Sequence, residues 1–414
     1  MKEGKTIILQ PYNFAYNAFS IARYNGKVVM IRGAIPGETV EVRIEEEKRD
    51  YYIAKAIKIL SPSPDRVIPK CPYFGICGGC HLQYISHKCQ IYLKERILED
   101  TLKRLANIEI KTSSLFDPNP WGYRYRGQFK VNLKNIGFYK EKSREVVDIN
   151  KCYLMTDAVN GFLKKTRDLL FSIDKKLPLI KEIHISSSDQ TISLLKTSGR
   201  IENPYDIASK FLNSGFAGVI INDGREINQY GKGYITLDLE GIKYTVSPLS
   251  FFQSHWKLNQ EIVRFILDNL KPLNNKIVLD LYSGAGNFSL PISKYAKEVI
   301  AIEENPYAVA DGKRNAKINN IINCRFIHSP VERFSFNKPD ILLIDPPRAG
   351  LTNIVIEKIL TLLPEKIVYI SCNPSTLARD LKKLMLKYDI ILVKMIDLFP
   401  QTYHIESICF LKLR

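Results

Sequence analysis

Short apolar runs alternate with helical stretches throughout the carboxyl-terminal third of the sequence. The runs span residues 276–281, 298–302, 341–344 and 367–370. Strands that are continuously apolar are buried on both faces, which requires a parallel sheet covered by helices. Residues 251–414 are therefore predicted to form a doubly wound, Rossmann-like α/β domain.

The rest of the 414-residue chain is too long for one further domain and divides at a proline-rich stretch. Residues 40–45 alternate apolar and polar side chains, as a half-buried strand does, and residues 27–31 and 51–60 also have strand character. The prolines of residues 61–65 cannot continue a sheet. We predict a small β-barrel over residues 1–60 and a central α+β domain over residues 61–250, with an amphipathic helix over 87–107.

The charge balance favours a polyanionic partner. Sixty Lys and Arg against 43 Asp and Glu leave a net charge of +17, and phosphate contacts dominate the affinity of proteins for nucleic acids. A generally Lys-rich surface is the alternative. We find neither a signal peptide nor an uninterrupted apolar run of about 18 residues, so the sequence predicts a cytoplasmic, monomeric protein with no membrane partner.

A glycine-rich turn follows the first strand of the carboxyl-terminal domain. Residues 277–288 read as a strand, then Gly284 and Gly286, then a helix, a pattern that lets a ligand approach the backbone. The second strand ends at Glu303, 19 residues after Gly284, where a carboxylate can accept both ribose hydroxyls. Only two of the three dinucleotide glycines are present, so a nucleoside such as S-adenosylmethionine fits better than NAD.

The fourth strand of this domain ends in a rigid, acidic motif. Asp345 is followed by Pro346 and Pro347, which force an extended exit from the strand. Asp345 should therefore point into the crevice beyond the carboxyl ends of the strands, where open sheets bind ligands. The alternative is an Asp that caps a helix.

A cysteine at the end of the next strand could act as a nucleophile. Cys372 follows the apolar run 367–370 and should lie on the same rim as Asp345. A lone Cys on a strand is more often a packing residue, but His404 and Glu406 in the polar carboxyl-terminal tail share one face by the period of two. A nucleophile and a base are thus expected near one crevice.

Three cysteines form a compact trio in a loop rich in glycine and proline. Cys71, Cys77 and Cys80 have spacings of five and two intervening residues, and Cys152 is a plausible fourth ligand. Thiolates select iron-sulfur clusters or zinc. Structural zinc usually uses a second short pair of cysteines, which is missing here, and radical enzymes that use S-adenosylmethionine need a first spacing of three.

Aromatic and cationic residues alternate over residues 121–130. Cations bind phosphate and aromatic rings stack on exposed bases, so this segment is a candidate contact for a nucleic acid. A strand with one buried face would give the same alternation. Phe251, Phe252 and Trp256 could stack on a target base, or could pack in the core.

Four motifs together resemble those of the RNA (uracil-5-)-methyltransferase family. They are Ser-Gly-x-Gly-Asn at 283–287, Asp-Pro-Pro-Arg at 345–348, Ser-Cys-Asn-Pro at 371–374 and Phe-Pro-x-Thr-x-His-x-Glu at 399–406. The likeness covers the whole chain in matching order. It is closest to the iron-sulfur branch of the family, which carries an amino-terminal TRAM domain and makes 5-methyluridine in 23S ribosomal RNA.

The resemblance implies a role for each candidate residue. Cys372 would be the nucleophile and Glu406 the base. The residues at the family's S-adenosylmethionine positions are Gln253, Tyr282, Glu303 and Asp345. A 4Fe-4S cluster would be bound by Cys71, Cys77, Cys80 and Cys152. Where the family often has an Asn or Asp for the adenine, this chain has Pro330, and Ser329 could substitute.

The substrate class implied by the resemblance is RNA, with rRNA favoured and tRNA as the alternative. Enzymes that methylate amino groups also carry an Asp-Pro-Pro motif, but an aromatic residue follows it, whereas Arg348 follows it here. A non-catalytic RNA-binding or assembly factor would not need both Cys372 and Glu406. We therefore expect methylation of carbon 5 of a uridine through a covalent adduct between Cys372 and the base.

Overall fold

The computed structural model describes residues 4–133, 135–173, 179–335 and 338–414. Within these residues the chain forms three large β-sheets and one two-stranded sheet. No helix in this part of the chain is long and apolar enough to cross a membrane.

The amino-terminal sheet has six strands in the order β1-β5-β6-β4-β3-β2. The strands are β1 (Thr6–Leu9), β2 (Asn13–Ala15), β3 (Phe19–Tyr24), β4 (Lys27–Arg32), β5 (Thr39–Glu47) and β6 (Tyr51–Ser61). Val40, Val42 and Ile44 of β5 are buried and enclose a small core with Val29 and Ile31. The period-two alternation therefore predicted the buried face of β5 correctly.

A long helix, α1 (His87–Ala106), and a short strand, β7 (Ser113–Leu115), follow. The Ser86 hydroxyl caps α1 by accepting the Cys89 amide at 3.3 Å. The helix predicted over 87–107 is therefore confirmed. Its buried face includes Gln90 and Lys94, which need polar partners.

The central sheet has seven strands in the order β10-β9-β8-β11-β12-β13-β14. They are β8 (Arg126–Asn132), β9 (Asn135–Tyr139), β10 (Val146–Asp148), β11 (Ile180–Ser187), β12 (Thr191–Thr197), β13 (Gly218–Asn222) and β14 (Ile227–Gly231). The helices α2 (Asp157–Ser172) and α3 (Pro204–Asn213) contribute to its core. The hairpin of β15 (Ile235–Leu239) and β16 (Ile242–Val246) comes next.

The carboxyl-terminal sheet has eight strands in the order β19-β18-β17-β20-β21-β23-β22-β7. The strands not yet named are β17 (Ile277–Leu281), β18 (Glu298–Glu303), β19 (Cys324–His328), β20 (Ile341–Ile344), β21 (Lys366–Ser371), β22 (Tyr388–Ile396) and β23 (Glu406–Leu413). The helices of this part are α4 (Trp256–Leu270), α5 (Ser289–Ser293), α6 (Pro306–Ile318), α7 (Asn353–Leu362) and α8 (Pro374–Leu384). Strands β17 to β21 run parallel, and β23 runs antiparallel beside β21. The four apolar runs are thus strands of a parallel sheet, as predicted.

Helix α1 and strand β7 join the carboxyl-terminal layer although they precede it by more than 150 residues. Leu98 and Leu102 of α1 belong to the same core as Leu377 and Leu381 of α8. Strand β7 pairs in parallel with β22. The boundary near residue 250 stays a prediction, since segments from before it contribute to the later sheet.

Candidate active site and cysteine cavity

The candidate catalytic and cofactor residues meet at the carboxyl edge of the parallel strands. Tyr282 follows β17, Glu303 ends β18, Asp345 follows β20 and Cys372 follows β21. Neighbouring parallel strands in register carry these positions to one rim. One cavity of about 600 Å³ is lined by Gln253, Tyr282, Glu303, Asp345, Cys372 and Glu406.

The glycine-rich turn after β17 is shaped to hold Glu303. Gly286 has φ +90°, and a Cβ atom there would lie 2.7 Å from the Phe326 ring, so a larger residue would not fit. Glu303 accepts hydrogen bonds from the amides of Gly284 at 3.0 Å and Asn305 at 2.7 Å. These bonds fix the carboxylate at the cavity wall.

Gln253 enters the cavity from a loop held by other parts of the chain. Asp311 of α6 accepts the Ser247 amide at 2.8 Å and the Ser250 hydroxyl at 2.6 Å. Arg126 of β8 donates to the carbonyl of Ser250 at 2.8 Å. The Gln253 Oε1 atom is buried and has no hydrogen-bond partner within the described residues. A buried acceptor of this kind suits a ligand donor.

Acidic groups crowd the cavity, and burial together with neighbouring carboxylates raises the pKa of three groups there. Burial and the neighbouring Glu303 raise the pKa of Asp345 to about 7. Burial and Asp345 raise the pKa of Glu406 well above its usual value, while Arg348 opposes the shift. Burial, then Glu406 and Asp345, raise the pKa of Cys372 to about 11. The site therefore favours a positively charged ligand beside these acids.

His404 and Glu406 line the same cavity but differ as candidate bases. Arg348 Nη2 lies 2.7 Å from His404 Nδ1, so this nitrogen acts as an acceptor toward a permanent cation. Burial and Arg348 lower the pKa of His404 to about 3. A weakly basic imidazole already engaged by Arg348 is a poor proton acceptor. Because its pKa is raised, the Glu406 carboxylate is the stronger proton acceptor of the two.

The four cysteines named from the sequence line a second, smaller cavity. Cys71, Cys77, Cys80 and Cys152 surround about 130 Å³ of space. Asn160 of α2 holds the backbone of Cys152 by accepting its amide at 2.9 Å and donating to its carbonyl at 3.0 Å. Within residues 4–133, 135–173, 179–335 and 338–414, no three His, Cys, Asp or Glu side chains converge on a point that could hold a single metal ion.

Arg124 lines both cavities, which the sequence reasoning did not anticipate. Its backbone pairs with the residues that follow Cys152. The Arg124 amide donates to the Leu154 carbonyl at 2.8 Å, and the Arg124 carbonyl accepts the Thr156 amide at 3.1 Å. Its Nε atom is buried with no partner in the described chain. In the sequence, the only indication that Arg124 lies at a functional site was its place in the aromatic and basic segment 121–130.

Part of the segment 121–130, which was predicted to contact RNA, is buried. Tyr123, Arg126 and Phe129 are buried. Arg126 donates to the carbonyls of Pro248 and Ser250 and contacts His184, which excludes it from phosphate contacts. The RNA prediction is therefore wrong for these three residues. For the half-buried Trp121, Arg124, Tyr125 and Lys130 it stays a prediction.

The three aromatic residues considered for base stacking differ in their exposure. Phe252 and Trp256 are buried in the core beside β15 and β16. Phe251 is 64% exposed and lines the same cavity as Cys372 and Glu406. Only Phe251 of this set is therefore available to a base at the site.

Comparison with known proteins relates this geometry to a family. The tRNA (Uracil-5-)-methyltransferase family matches residues 87–338 and 330–414, and the TRAM domain matches residues 8–57. The chain belongs to the tRNA (Uracil-5-)-methyltransferase family. It is an enzyme that methylates carbon 5 of uracil in RNA with S-adenosylmethionine as the methyl donor.

Several relatives are similar to the chain over nearly its whole length. A 23S rRNA (uracil(1939)-C(5))-methyltransferase, RlmD, from Photorhabdus laumondii is 34% identical over 94% of this chain and 92% of its own. An uncharacterised RNA methyltransferase from Aquifex aeolicus is 33% identical over the full length of both. The crystal structure of Pyrococcus abyssi tRNA (uracil-54, C5)-methyltransferase with S-adenosyl-L-homocysteine has a TM-score of 0.77 and 25% identity, and covers 98% of this chain and 100% of its own.

Proposed function

We propose that this methyltransferase modifies a uridine of 23S rRNA through a covalent Cys372 adduct, with Glu406 as the base. The observation that carries the roles is the single cavity shared by Cys372, Glu406 and the four cofactor candidates. The rRNA substrate is supported by the RlmD relative. A tRNA uridine is the alternative, supported by the similarity to the Pyrococcus enzyme. The cytoplasmic location and monomeric state stay predictions.

The cofactor residues fit S-adenosylmethionine, which supplies an electrophilic methyl group when bound. Glu303 is held where a carboxylate can accept ribose hydroxyls. Gln253 offers its unpartnered Oε1 atom to a donor. Asp345, buried beside Glu303, gains from a neighbouring positive charge. Because such a charge offsets the acidic crowding, it would also lower the pKa of Cys372.

The target base must leave its stack to reach the cavity. The Cys372 thiolate forms a bond to carbon 6, and the electron pair of the 5,6 double bond becomes an enolate. Carbon 5 then bonds to the methyl group as the carbon–sulfur bond of the donor breaks. Glu406 removes the proton left on carbon 5, the double bond reforms, and the thiolate is expelled. Cys372 and Glu406 thus act at adjacent carbons of one ring.

We also propose that Cys71, Cys77, Cys80 and Cys152 bind a 4Fe-4S cluster. The four side chains line one enclosed space, and the cysteine spacing lacks the second short pair that structural zinc usually has. A cluster places its thiolates farther apart, around four irons. When bound, it would join the loop of Cys71 to Cys80 to the start of α2.

Anaerobically purified protein should be brown and contain about four irons per chain, from four-cysteine ligation. Cys152→Ser should lose most of this iron, because one ligand is removed. Cys89→Ser is the matched control, since Cys89 does not line the cysteine cavity, and should retain the iron. Iron, zinc and acid-labile sulfide would be measured. One zinc with no iron would overturn the assignment.

A basic groove beside the active site is the surface we propose for the RNA. It has a volume of about 650 Å³ and is lined by Arg32, Lys140, Lys142 and Arg144, and by the acid Glu141, which pairs with Arg32 at 3.0 Å. Tyr403 also lines it, with its ring 4.5 Å from that of His404, which faces the catalytic cavity. Cations and a ring beside a pocket suit a single-stranded segment whose target base is turned inward.

Lys142→Ala and Arg144→Ala should each weaken RNA binding and reduce its salt dependence. Each lost phosphate contact should lower the slope of log affinity against log salt by roughly 0.7 for single-stranded RNA. Lys387→Ala is the control, because Lys387 is exposed but precedes β22 at the opposite edge of the sheet. Affinity would be measured at several salt concentrations. Unchanged slopes in both groove variants would place the RNA elsewhere.

The substrate is tested by incubating the protein with labelled S-adenosylmethionine and total RNA lacking this modification, then mapping the labelled nucleoside. We expect 5-methyluridine in 23S rRNA. Label confined to tRNA would favour the alternative substrate. Label on any other atom or base would contradict the proposed reaction.

A further inference from the structure

The segment that delivers Glu406 has little regular structure of its own. It runs from the end of β22 to the start of β23, and its residues Phe399, His404 and Glu406 line the catalytic cavity. Gln401, in its middle, has φ +68°, a conformation that non-glycine residues rarely adopt. Contacts from outside the segment must therefore hold it.

One face of α1 supplies these contacts. His87, Gln90 and Lys94 are spaced by three and four residues, so they lie along one side of the helix. His87 Nε2 lies 2.8 Å from Asp397, and Lys94 donates to Asp397 at 2.6 Å and to the carbonyl of Phe399 at 3.2 Å. Burial alone would raise the pKa of Asp397, but Lys94 and His87 hold it below its usual value. The start of the segment is thus anchored by a buried ion pair.

Gln90 holds the centre of the segment. The side chain is fully buried, and its Oε1 atom accepts the backbone amide of Gln401 at 3.0 Å. Its amide nitrogen faces three acceptors, namely Gln401 Oε1 at 3.0 Å and the carbonyls of Leu82 at 3.0 Å and Ile85 at 2.8 Å. One side chain therefore binds both Gln401 and the turn that follows the cysteine loop.

The cysteine loop also contacts Gln401 directly. The Gln401 carbonyl accepts the amides of His81 at 2.9 Å and Leu82 at 3.0 Å. His81 is the residue after Cys80, and Glu406 comes five residues after Gln401. Both backbone polar groups of Gln401 are thereby committed to elements that lie more than 300 residues earlier in the sequence.

We propose that Gln90 is a positioning residue that sets the location of Glu406 by fixing Gln401 to the turn after Cys80. This inference rests on the proposed role of Glu406. Gln90 does not line the catalytic cavity, so it acts through the segment and not on the substrate. Loss of its two donors should disturb proton removal from carbon 5 more than the methyl transfer that precedes it.

The test is Gln90→Glu, which keeps the shape and the acceptor for the Gln401 amide but removes both donors. In single-turnover reactions, methyl transfer to RNA should proceed near the wild-type rate. Decay of the methylated Cys372 adduct, followed by denaturing gel electrophoresis, should slow at least about tenfold, because small misplacements of a catalytic group are costly. Binding of S-adenosylmethionine should be unchanged.

Asn323→Asp is the matched control. Asn323 also donates to two backbone carbonyls, those of Ser293 and Ala296, but it precedes β19 at the edge of the sheet opposite the site. It should lower the unfolding temperature without accumulating adduct. Glu406→Gln, run in parallel, must itself accumulate adduct. If it does not, the proposed function fails, whereas normal decay in Gln90→Glu alone overturns only this inference.

An equal decrease in the rates of methyl transfer and adduct decay in Gln90→Glu would also overturn the inference, since it would indicate a non-selective disruption of the active site. If Gln90→Glu does not fold, Gln401→Leu replaces it. That variant removes only the side-chain partner and leaves the backbone amide of residue 401 able to donate to Gln90. It should slow adduct decay in the same direction, and a wild-type decay rate would count against the role of Gln90.

Discussion

Cys372→Ala is expected to abolish methyl transfer, lowering turnover by at least about 10⁴-fold, as removal of a covalent nucleophile does in other enzymes. Without the thiolate, carbon 5 of uracil is too weakly nucleophilic to attack a methyl group. Binding of S-adenosylmethionine should remain close to normal, because Glu303 is held by the amides of Gly284 and Asn305. The measurements are single-turnover methyl transfer and calorimetric binding of the cofactor.

Cys89→Ala serves as the control for Cys372→Ala. Cys89 lies in α1 and lines neither the catalytic cavity nor the cysteine cavity, so its loss should leave turnover unaffected. Substantial turnover by Cys372→Ala would exclude the covalent mechanism. Loss of cofactor binding in that variant would instead indicate that Cys372 shapes the cofactor pocket.

Glu406→Gln should have the second largest effect and a different signature. The amide has nearly the same shape but cannot accept the carbon 5 proton, so release of methylated RNA should slow by roughly 10²–10⁴-fold. The methyl group should still be transferred. A protein–RNA adduct that survives denaturing gel electrophoresis and carries the methyl label is the expected result.

His404→Gln distinguishes the two candidate bases. His404 accepts from Arg348, and its pKa is lowered to about 3, so its replacement should not trap the adduct. Trapping in His404→Gln together with rapid release in Glu406→Gln would reverse the assignment. Both variants would be compared at equal RNA saturation.

The catalytic cavity draws on parts of the chain that are far apart in sequence. Arg124 reaches it from beside the cysteine cavity, Gln253 from the loop held by Arg126 and Asp311, and Glu406 from the segment held by α1. Substitutions in the central region can therefore impair catalysis without replacing any residue that lines the cavity. Variants in this region require a measurement that separates methyl transfer from adduct release.

The sequence alone determined the carboxyl-terminal sheet and its rim. Strands buried on both faces are predominantly apolar, so the runs at 276–281 and 341–344 were visible without a structure. Because parallel strands end at one edge, Asp345 and Cys372 could be assigned to the same rim. The short spacing of Cys71, Cys77 and Cys80 also predicted that these cysteines lie together, as they do around the second cavity.

Other features depended on which distant segments meet. The alternation of residues 121–130 is the same for a strand facing RNA and for one facing protein, and only the contacts of Arg126 with Pro248 and Ser250 decide between them. Lys94 interrupts the apolar stripe of α1, which signals a buried partner, but nothing local identifies it as Asp397. Periodicity reports how buried a side chain is, whereas the identity of its partner is fixed by long-range packing. The sequence thus determined the sheet, its rim and the candidate residues on it, and the tertiary structure decided which helix and loops hold Glu406 in place.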